Sequence, residues 1–438
     1  MTPDPELVTL ACCDLSGLTR GRSVPAGDLD AHLVSGIGWV PANHALTPHG
    51  PVAEDAPFDS TGDLRLLPDA ATRARVPASA SSSALDLVLC DVVETDGAPW
   101  SACPRTFLLD TLAELEEELG LTVTASFEHE FQLLREEAGE VPFSVVAQRR
   151  AEPFPTELMT ALTAARLEPE RIFAEYAPHQ LEVPLAAARG LAAADRAVIF
   201  REVVREVARR CGERATFTPL LDPEQAGNGM HLHFSLADKH GSPVLYDATR
   251  EGCVSELGGQ FAAGVLRHAS ALVGLTAPSP VSAGRLQPHH WSAGAACLGL
   301  RNREALLRLP PLVSLGGGDL AAQMRFEYRA ADGTANPYVV LAAVLRAGMG
   351  GVRSGLEAPP ILDRDPSQLD AAEAQRFGVG ALPPGLAEAL AALEADDEAR
   401  AWLPDRLLAA HMAIKRSELD ASARLDPEEL CRRYARIY

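Results

Sequence analysis

The stretch FEHEFQL, residues 127–133, carries the reading of the chain. Side chains alternate between the two faces of a β-strand. Phe127, His129, Phe131 and Leu133 therefore share one face, and Glu128, Glu130 and Gln132 share the other. The same split returns in MHLHFSL (230–236), where His231, His233 and Ser235 oppose Met230, Leu232 and Phe234. In RFEYR (325–329), Arg325, Glu327 and Arg329 oppose Phe326 and Tyr328. In YAPHQLEV (176–183), Gln180 and Glu182 oppose Leu181 and Val183, and Glu175 stands just ahead. Four strands with one apolar face and one acid-, His- or Arg-bearing face predict a charged pocket walled by strands, a place for cations and phosphates.

Taken singly, each feature has an ordinary explanation. A lone Glu-x-Glu is usually a solvated face, a lone histidine a satisfied core residue, and a glutamate between two arginines an ion-pair network. The joint set Glu128, Glu130, Glu175, Glu182, His231 and Glu327 changes the balance. Five carboxylates and one imidazole are hard ligands that favour Mg²⁺ or Mn²⁺ over Zn²⁺ or copper. They are too many for one Mg²⁺, which keeps several waters, so two or more cations are expected. Paired divalent ions serve phosphoryl chemistry. Arg285, Arg301, Arg303, Arg308, Arg325 and Arg329 supply guanidinium forks suited to carboxylates and phosphates. No Gly-Lys pair occurs, so there is no Walker loop, and GGG at 316–318 reads as a flexible loop.

The bulk numbers are those of an ordinary globular chain. With 438 residues, 47% of them hydrophobic, the chain is expected to hold more than one domain. A formal charge of −21 argues against nucleic acid or an anionic membrane surface as partner. The eight cysteines form no CxxC pair, so thiolate zinc and redox motifs are unsupported. No signal peptide is evident, and the longest apolar run, YVVLAAVLRAGMGGV, is interrupted by Arg346. A cytoplasmic protein without membrane spans is expected.

Residues 1–104 read as a small strand-rich domain, with apolar runs LVTLACCDL and ALDLVLCDVV and a loop SASSSA at 79–84. A long helix is expected from about Pro104 to Gly120, with Leu108, Leu112, Leu115 and Leu119 at helical spacing, and the boundary falls there, leaving 105–438 as the larger domain. Further helices are expected at about 155–167, 187–211 and 255–274, and a buried one in NPYVVLAAVLRAGMGGVRSG (336–355). Residues 276–318 read as loop-rich, and the C-terminus as helical beyond a Pro-rich acidic connection near 358–368.

These elements together resemble the glutamine synthetase family. The likeness runs in order through DLSGLTRGRSVP (14–25), GDLRLLPD (62–69), FEHEFQL, EYAPHQLEV (175–183), GNGMHLHFSL (227–236), LRNREALLRLP (300–310) and RFEYRAADGTANPY (325–338). It implies an α+β fold, with a small β-grasp-like N-terminal domain and a larger catalytic domain whose strand-lined funnel is packed by helices. It implies a ring homo-oligomer, a dodecamer of two hexamers, with each site completed by the neighbour's N-terminal domain. The implied substrates are glutamate, ATP and an amine, with Mg²⁺ or Mn²⁺ as cofactor. By motif, Glu130, Glu175 and Glu182 would hold one cation, and Glu128, His231 and Glu327 the other. His233, Ser235, Arg308, Arg325 and Glu170 would contact ATP. Gly227, Arg285 and Arg329 would grip glutamate, and Arg303, with Arg308 the catalytic pair, would steady the phosphate in transfer. The implied chemistry phosphorylates the side-chain carboxylate of glutamate, and an amine then displaces phosphate from the acyl phosphate.

The second half of that reaction is where the sequence departs from the family pattern. Members that use ammonia carry a flap glutamate shortly after the arginine matched by Arg285; here the flap reads RLQPHHWSAG, and Trp291 takes that position. An indole neither holds ammonium as a carboxylate does nor accepts its proton, but it forms an apolar or cation–π wall for an organic amine. The ammonium loop of the N-terminal domain is replaced by GIGWVPANHALTPHG (36–50). The adenylylation tyrosine of some bacterial members has no match in AQRFGVGALP (374–383), and Ala226 stands where the family often has an Asn that contacts glutamate. The leading expectation is a γ-glutamyl–amine ligase for an organic primary amine. The alternatives are an authentic glutamine synthetase, with His289, His290 or a nearby acid serving ammonium; a silent structural or regulatory ring; and phosphotransfer to a guanidino compound.

Overall fold

The computed structural model describes residues 6–79 and 82–438; Ala80 and Ser81 of the expected SASSSA loop lie outside the described residues. In the N-terminal part, β1 (Leu7–Cys13), β2 (Thr19–Pro25), β3 (Ile37–Trp39), β4 (Leu64–Pro68), β5 (Ala74–Val76) and β6 (Leu85–Glu94) form one sheet in the order β2-β1-β6-β4-β3, with β5 also on β6. β6 is long enough to meet β5 at 85–87, β1 at 87–89 and β4 at 90–94. Its sequence LDLVLCDVVE is buried nearly throughout instead of alternating, as a strand covered on both faces requires.

The expected helix follows as Pro104–Leu119. Pro104 takes the first helical position, where its missing N–H costs nothing. Gly120 ends the helix in the left-handed region, with φ 65°. Arg105, in the first turn, clamps the two halves of the chain together. It donates to Asp69 (2.7 Å) and Asp91 (2.8 Å) of the first sheet and to Asp195 (2.9 Å) on the helix Leu191–Arg210. Tyr338 donates to the same Asp195 (2.6 Å). Removing one partner of a buried ion pair costs about 3–5 kcal/mol, because the other charge stays behind uncompensated. Arg105→Ala is therefore expected to lower the melting temperature by several degrees, and an unchanged melting curve would show that the clamp is not holding the fold.

The second sheet joins β7 (Leu121–Leu133), β8 (Phe173–Ala174), β9 (Gln180–Val183), β10 (Ala188–Arg189), β11 (Ala215–Thr216), β12 (Met230–Asp238), β13 (Ala295–Leu300), β14 (Ala305–Leu309), β15 (Phe326–Tyr328) and β16 (Ile361–Leu362). Its order is β16-β13-β14-β15-β12-β7-β9-β8, with β10 and β11 also on β7. The apolar face of β7 packs on the helices Pro104–Leu119 and Leu191–Arg210. His129 lies on this face, fully buried among Phe200 and Phe217, and burial above all holds it neutral. The helix Pro337–Arg353 is buried on nearly every side, packed between Glu256–Arg267 and Pro104–Leu119. Its N-cap Asn336 accepts from Tyr338 N and donates to the carbonyls of Cys13 and Asp14 in the N-terminal part.

Three expectations change. The 276–318 segment contains β13 and β14, which pair in parallel and sit in the sheet's interior. Their short, continuously buried runs show no alternation, so the surrounding Gly, Pro and Ser dominate the sequence signal. β16, in the stretch read as a connection, pairs with β13. The helix expected at 255–274 is two, Glu256–Arg267 and Ala269–Thr276, broken at His268, whose Nδ1 is 2.6 Å from Asp396 Oδ2. Among the described residues, no helix is long and apolar enough to cross a membrane, and all eight cysteines are free.

Candidate active site

Strand register brings the distant polar faces together. β12 runs antiparallel to β7 with His231 opposite Glu128. β15 runs antiparallel to β12 and β14, so Glu327 stands opposite His233 on one side and Arg308 on the other. β9 places Glu182 opposite Glu130. Glu175, just after β8, completes the ring, and all six expected metal ligands line one cavity of about 390 Å³. His233, Arg303, Arg308, Arg325, Arg329 and Trp291 share its walls.

Glu327 is fully buried and gripped by two guanidiniums, Arg308 at 2.5 Å and Arg329. Burial alone would raise its pKa, but Arg329, the two histidines and Arg308 together outweigh burial and hold the carboxyl well below the usual range. Glu128 is likewise pushed up by burial and pulled further down by His231 and His233. The opposite end of the cavity behaves differently. Glu182 is pushed up to about 11, first by burial and then by the charges of Glu128, Glu130 and Glu175. Glu175 is pushed up to about 7 by burial and by Glu130. Glu130 is tied by Gly229 N, which donates to its Oε2 at 2.6 Å.

Crowded carboxylates without a counter-charge are the mark of a cation site, and the imidazoles add a geometric test. His231 Nδ1 lies 3.5 Å from Glu128 and 3.7 Å from Glu327, and His233 Nε2 lies 3.7 Å and 4.0 Å from the same two. Both nitrogens of His231 and Nε2 of His233 are buried without a hydrogen-bond partner. Ligand atoms sharing a cation at bonds of ~2.1 Å stand roughly 3–4 Å apart, which is this spacing. The residues fit a divalent cation. Glu128, His233 and Glu327 offer three ligand atoms within 4.8 Å of one another. The resemblance put His231 in that set and His233 with ATP. Two residues apart on one strand face, both rings reach the same two carboxylates, and strand spacing does not choose between them. Because cation ligands must be deprotonated, Mg²⁺ binding near neutral pH is expected to release about one proton or more per subunit, mainly from Glu182 and Glu175. Calorimetric titrations in buffers of different ionisation enthalpy read this directly. Identical heats in both buffers would show that those carboxyls are already ionised.

Four expected site residues do not line the cavity. Ser235 is one same-face position beyond His233, opposite Thr124. Glu170 is exposed outside the rim, 3.6 Å from Arg171, itself a lining residue. Arg285 is buried behind the wall, donating to Ser292 Oγ (3.0 Å) and Ala331 O (2.9 Å). Gly227 is what lets it lie there. A Cβ at Gly227 would stand 2.0 Å from Pro219 O and 2.9 Å from Arg285 Cγ. Arg329 bridges cavity and flap: besides Glu327, it donates to Arg303 O (2.9 Å) and Trp291 O (3.1 Å).

Trp291 projects from the flap with φ 56°, a left-handed conformation that is rare for a bulky residue. Glu304 steadies the flap by accepting from His289 N at its carboxylate (3.1 Å) and from Gly294 N at its carbonyl (2.9 Å). The indole is 46% exposed and meets two further exposed rings, Tyr176 at 5.4 Å and Phe143 at 6.2 Å between centroids. Neither was expected from the sequence. Tyr176 was within reach, being next to Glu175 in EYAPHQLEV; Phe143 lies in an irregular stretch without periodicity.

Comparison with known proteins follows the same lines. The profile for the glutamine synthetase N-terminal domain matches residues 2–100, and that for the glutamine synthetase catalytic domain matches residues 101–433. A gamma-glutamylpolyamine synthetase of Streptomyces coelicolor is 34% identical over 437 residues, covering 98% of this chain and 92% of that protein. A glutamine synthetase of Methanocaldococcus jannaschii is 30% identical over 374 residues, 82% of this chain and 80% of that one. A crystal structure described as a novel glutamine synthase homolog is 47% identical with a TM-score of 0.92, covering 100% of both chains. Ligand-free GmaS is 26% identical with a TM-score of 0.82, covering 98% and 96%. The chain belongs to the glutamine synthetase family and is an ATP-dependent carboxylate–amine ligase.

Proposed function

We propose that the chain joins the γ-carboxyl of glutamate to an organic primary amine. The observation that carries this reading is the aromatic trio of Trp291, Tyr176 and Phe143 at the rim of the carboxylate cavity, where a ligase for ammonia needs an acid. The curated name of the Streptomyces relative, an amine ligase, supports it.

In this reading Glu130, Glu175 and Glu182 hold one Mg²⁺ or Mn²⁺ and Glu128, Glu327 and a histidine of β12 hold another. Bound there, the cations would offset repulsion between phosphates and carboxylate. Arg325, Arg308 and His233 orient the triphosphate, with Ser235 and Glu170 further out. Arg303 faces the charge that develops as the γ-phosphoryl group passes to the glutamate oxygen, releasing ADP. Arg329 holds the glutamate side of the cavity and the flap carbonyl together, while Arg285 and Gly227 support that wall from behind. The amine nitrogen then bonds to the γ-carbonyl carbon, phosphate leaves with the C–O bonding pair, and the amine loses one proton. With the amine seated against it, the aromatic rim would shield the acyl phosphate from hydrolysis.

The same reading takes 1–104 and 105–438 as the two domains of a cytoplasmic ring homo-oligomer. A second reading, synthesis of glutamine from ammonia, draws on the archaeal relatives named glutamine synthetase. Phosphate release from ATP, Mg²⁺ and glutamate across a panel of amines separates the two. Turnover with at least one alkylamine exceeding that with ammonia supports the proposal; ammonia matching or exceeding every organic amine would sink it.

A further inference from the structure

Two residues of the flap hold backbone conformations that non-glycine residues avoid. His289 has φ 66° and Trp291 φ 56°, both in the left-handed region. Such residues cost free energy and persist only where their surroundings over-determine them. Arg329 donates to Trp291 O (3.1 Å), and Arg285 to Ser292 Oγ (3.0 Å). His289 is held at its backbone N by the Glu304 carboxylate (3.1 Å), and its ring Nε2 lies 3.3 Å from Ser367 Oγ.

Glu304 is the acid in this set, and it has no duty inside the site. It is half-buried and lines neither the metal-and-arginine cavity nor the cavity of about 220 Å³ beyond Trp291. Gly294 leaves room for it, since a Cβ there would stand 2.9 Å from Glu304 Oε2 and 3.1 Å from Pro288 Cα. Glu304 also follows Arg303 directly, and Arg329 donates both to Arg303 O (2.9 Å) and to Trp291 O. Arg303, Glu304, the flap and Arg329 therefore close a circuit of covalent and hydrogen bonds. That circuit fixes where the indole stands relative to the arginine assigned above to the transferred phosphate.

We propose that Glu304 is a positioning residue for the amine. Through His289 N it holds the flap in its left-handed form, and so keeps Trp291 against Tyr176 and Phe143. Without it, His289 and Trp291 relax toward ordinary φ values and the indole leaves the other two rings. The amine then loses the wall it packs on. This rests on the organic-amine reading above and adds to it the residue that sets the wall.

Fluorescence and kinetics of the full-length protein test the assignment. Of the four tryptophans, Trp39, Trp100 and Trp402 are at most 7% exposed and Trp291 is 46% exposed. Acrylamide quenching therefore reads Trp291, with Trp291→Phe as the blank. Glu304→Ala is expected to shift the Trp291 emission to the red and make it more readily quenched. It is expected to raise KM for butylamine about tenfold, the worth of one hydrogen bond to a charged group, with KM for ATP and for glutamate unchanged. Glu304→Gln, whose amide oxygen still accepts from His289 N, is expected to keep wild-type values of both. Glu304→Ala combined with Trp291→Phe should quench like the blank, because the buried indoles do not move. Unchanged quenching in Glu304→Ala, an unchanged KM for butylamine, or a rise in all three KM values overturns the proposal. So does a glutamine variant that fails as the alanine variant does, since the charge and not the hydrogen bond would then matter. Turnover of ammonia and not of butylamine, with quenching changed in the alanine variant alone, overturns the organic-amine reading and leaves Glu304 as the residue that positions the flap.

Discussion

Glu327→Ala is expected to remove ligase activity, lowering kcat/KM by about 10²–10³-fold or more, and to destabilise the fold as well. The carboxylate is fully buried and is the common partner of Arg308 and Arg329. It is also one of three ligand atoms grouped for a cation with Glu128 and His233. Deleting it leaves the buried guanidiniums of Arg308 and Arg329 without their shared counter-charge, at a cost of about 3–5 kcal/mol for breaking a buried pair. It also removes preorganised charge where phosphoryl transfer needs it, an effect of about 10²–10³ on rate for a single group in comparable sites. Glu327→Gln separates the two consequences. The amide keeps the shape and one acceptor, so part of the stability returns, but it carries no charge, so activity stays low. Thermal melts and Mn²⁺ titration of both variants read the two effects independently of turnover. An alanine variant with wild-type kcat/KM would show that this end of the cavity is not the reacting end.

Trp291→Glu is expected to turn the enzyme toward ammonia. The carboxylate would restore what the flap lacks, an anionic partner for ammonium and an acceptor for its proton. The same change removes the central ring of the aromatic trio, contacts worth about 0.5–2 kcal/mol for a bound cation, or roughly twofold to thirtyfold in affinity. With loss for the alkylamine and gain for ammonia added, the ratio of kcat/KM values should move toward ammonia by about 10². Trp291→Phe keeps a ring and should keep the preference. Both replacements carry a Cβ and accept the positive φ at the same cost as tryptophan, so neither is expected to fail through the backbone. If ammonia turnover does not rise in Trp291→Glu, the indole is an anchor for the flap and does not define the amine.

The sheet that carries the site was legible because its polar residues fall on strands with strict alternation. FEHEFQL, MHLHFSL and RFEYR each expose their chemistry at period two, and the structure brings those faces to one cavity. β13 and β14 were not legible, since a strand buried on both faces loses its alternation and shortens to an apolar run between loop residues, and β16, two residues at the sheet edge, is too short to show any period. Within the site, the sequence placed both histidines on the right face but left their division of labour open, because the register sets both rings against Glu128 and Glu327. Arg285 shows the converse. Its residue type fits an anion grip, yet its guanidinium is taken up by backbone carbonyls of residues 329–331. The aromatic rim was legible only through Trp291. Phe143, Tyr176 and Trp291 come from three separate loops, and no local pattern links residues that meet only in the folded chain.

The central claim is that the amine is organic, and one measurement addresses it most directly: the mass of the γ-glutamyl product formed when ATP, Mg²⁺ and glutamate meet ammonia and alkylamines together at equal concentration. The account expects a γ-glutamylamide of an organic amine as the main product, with glutamine minor. Glutamine as the main product would contradict it.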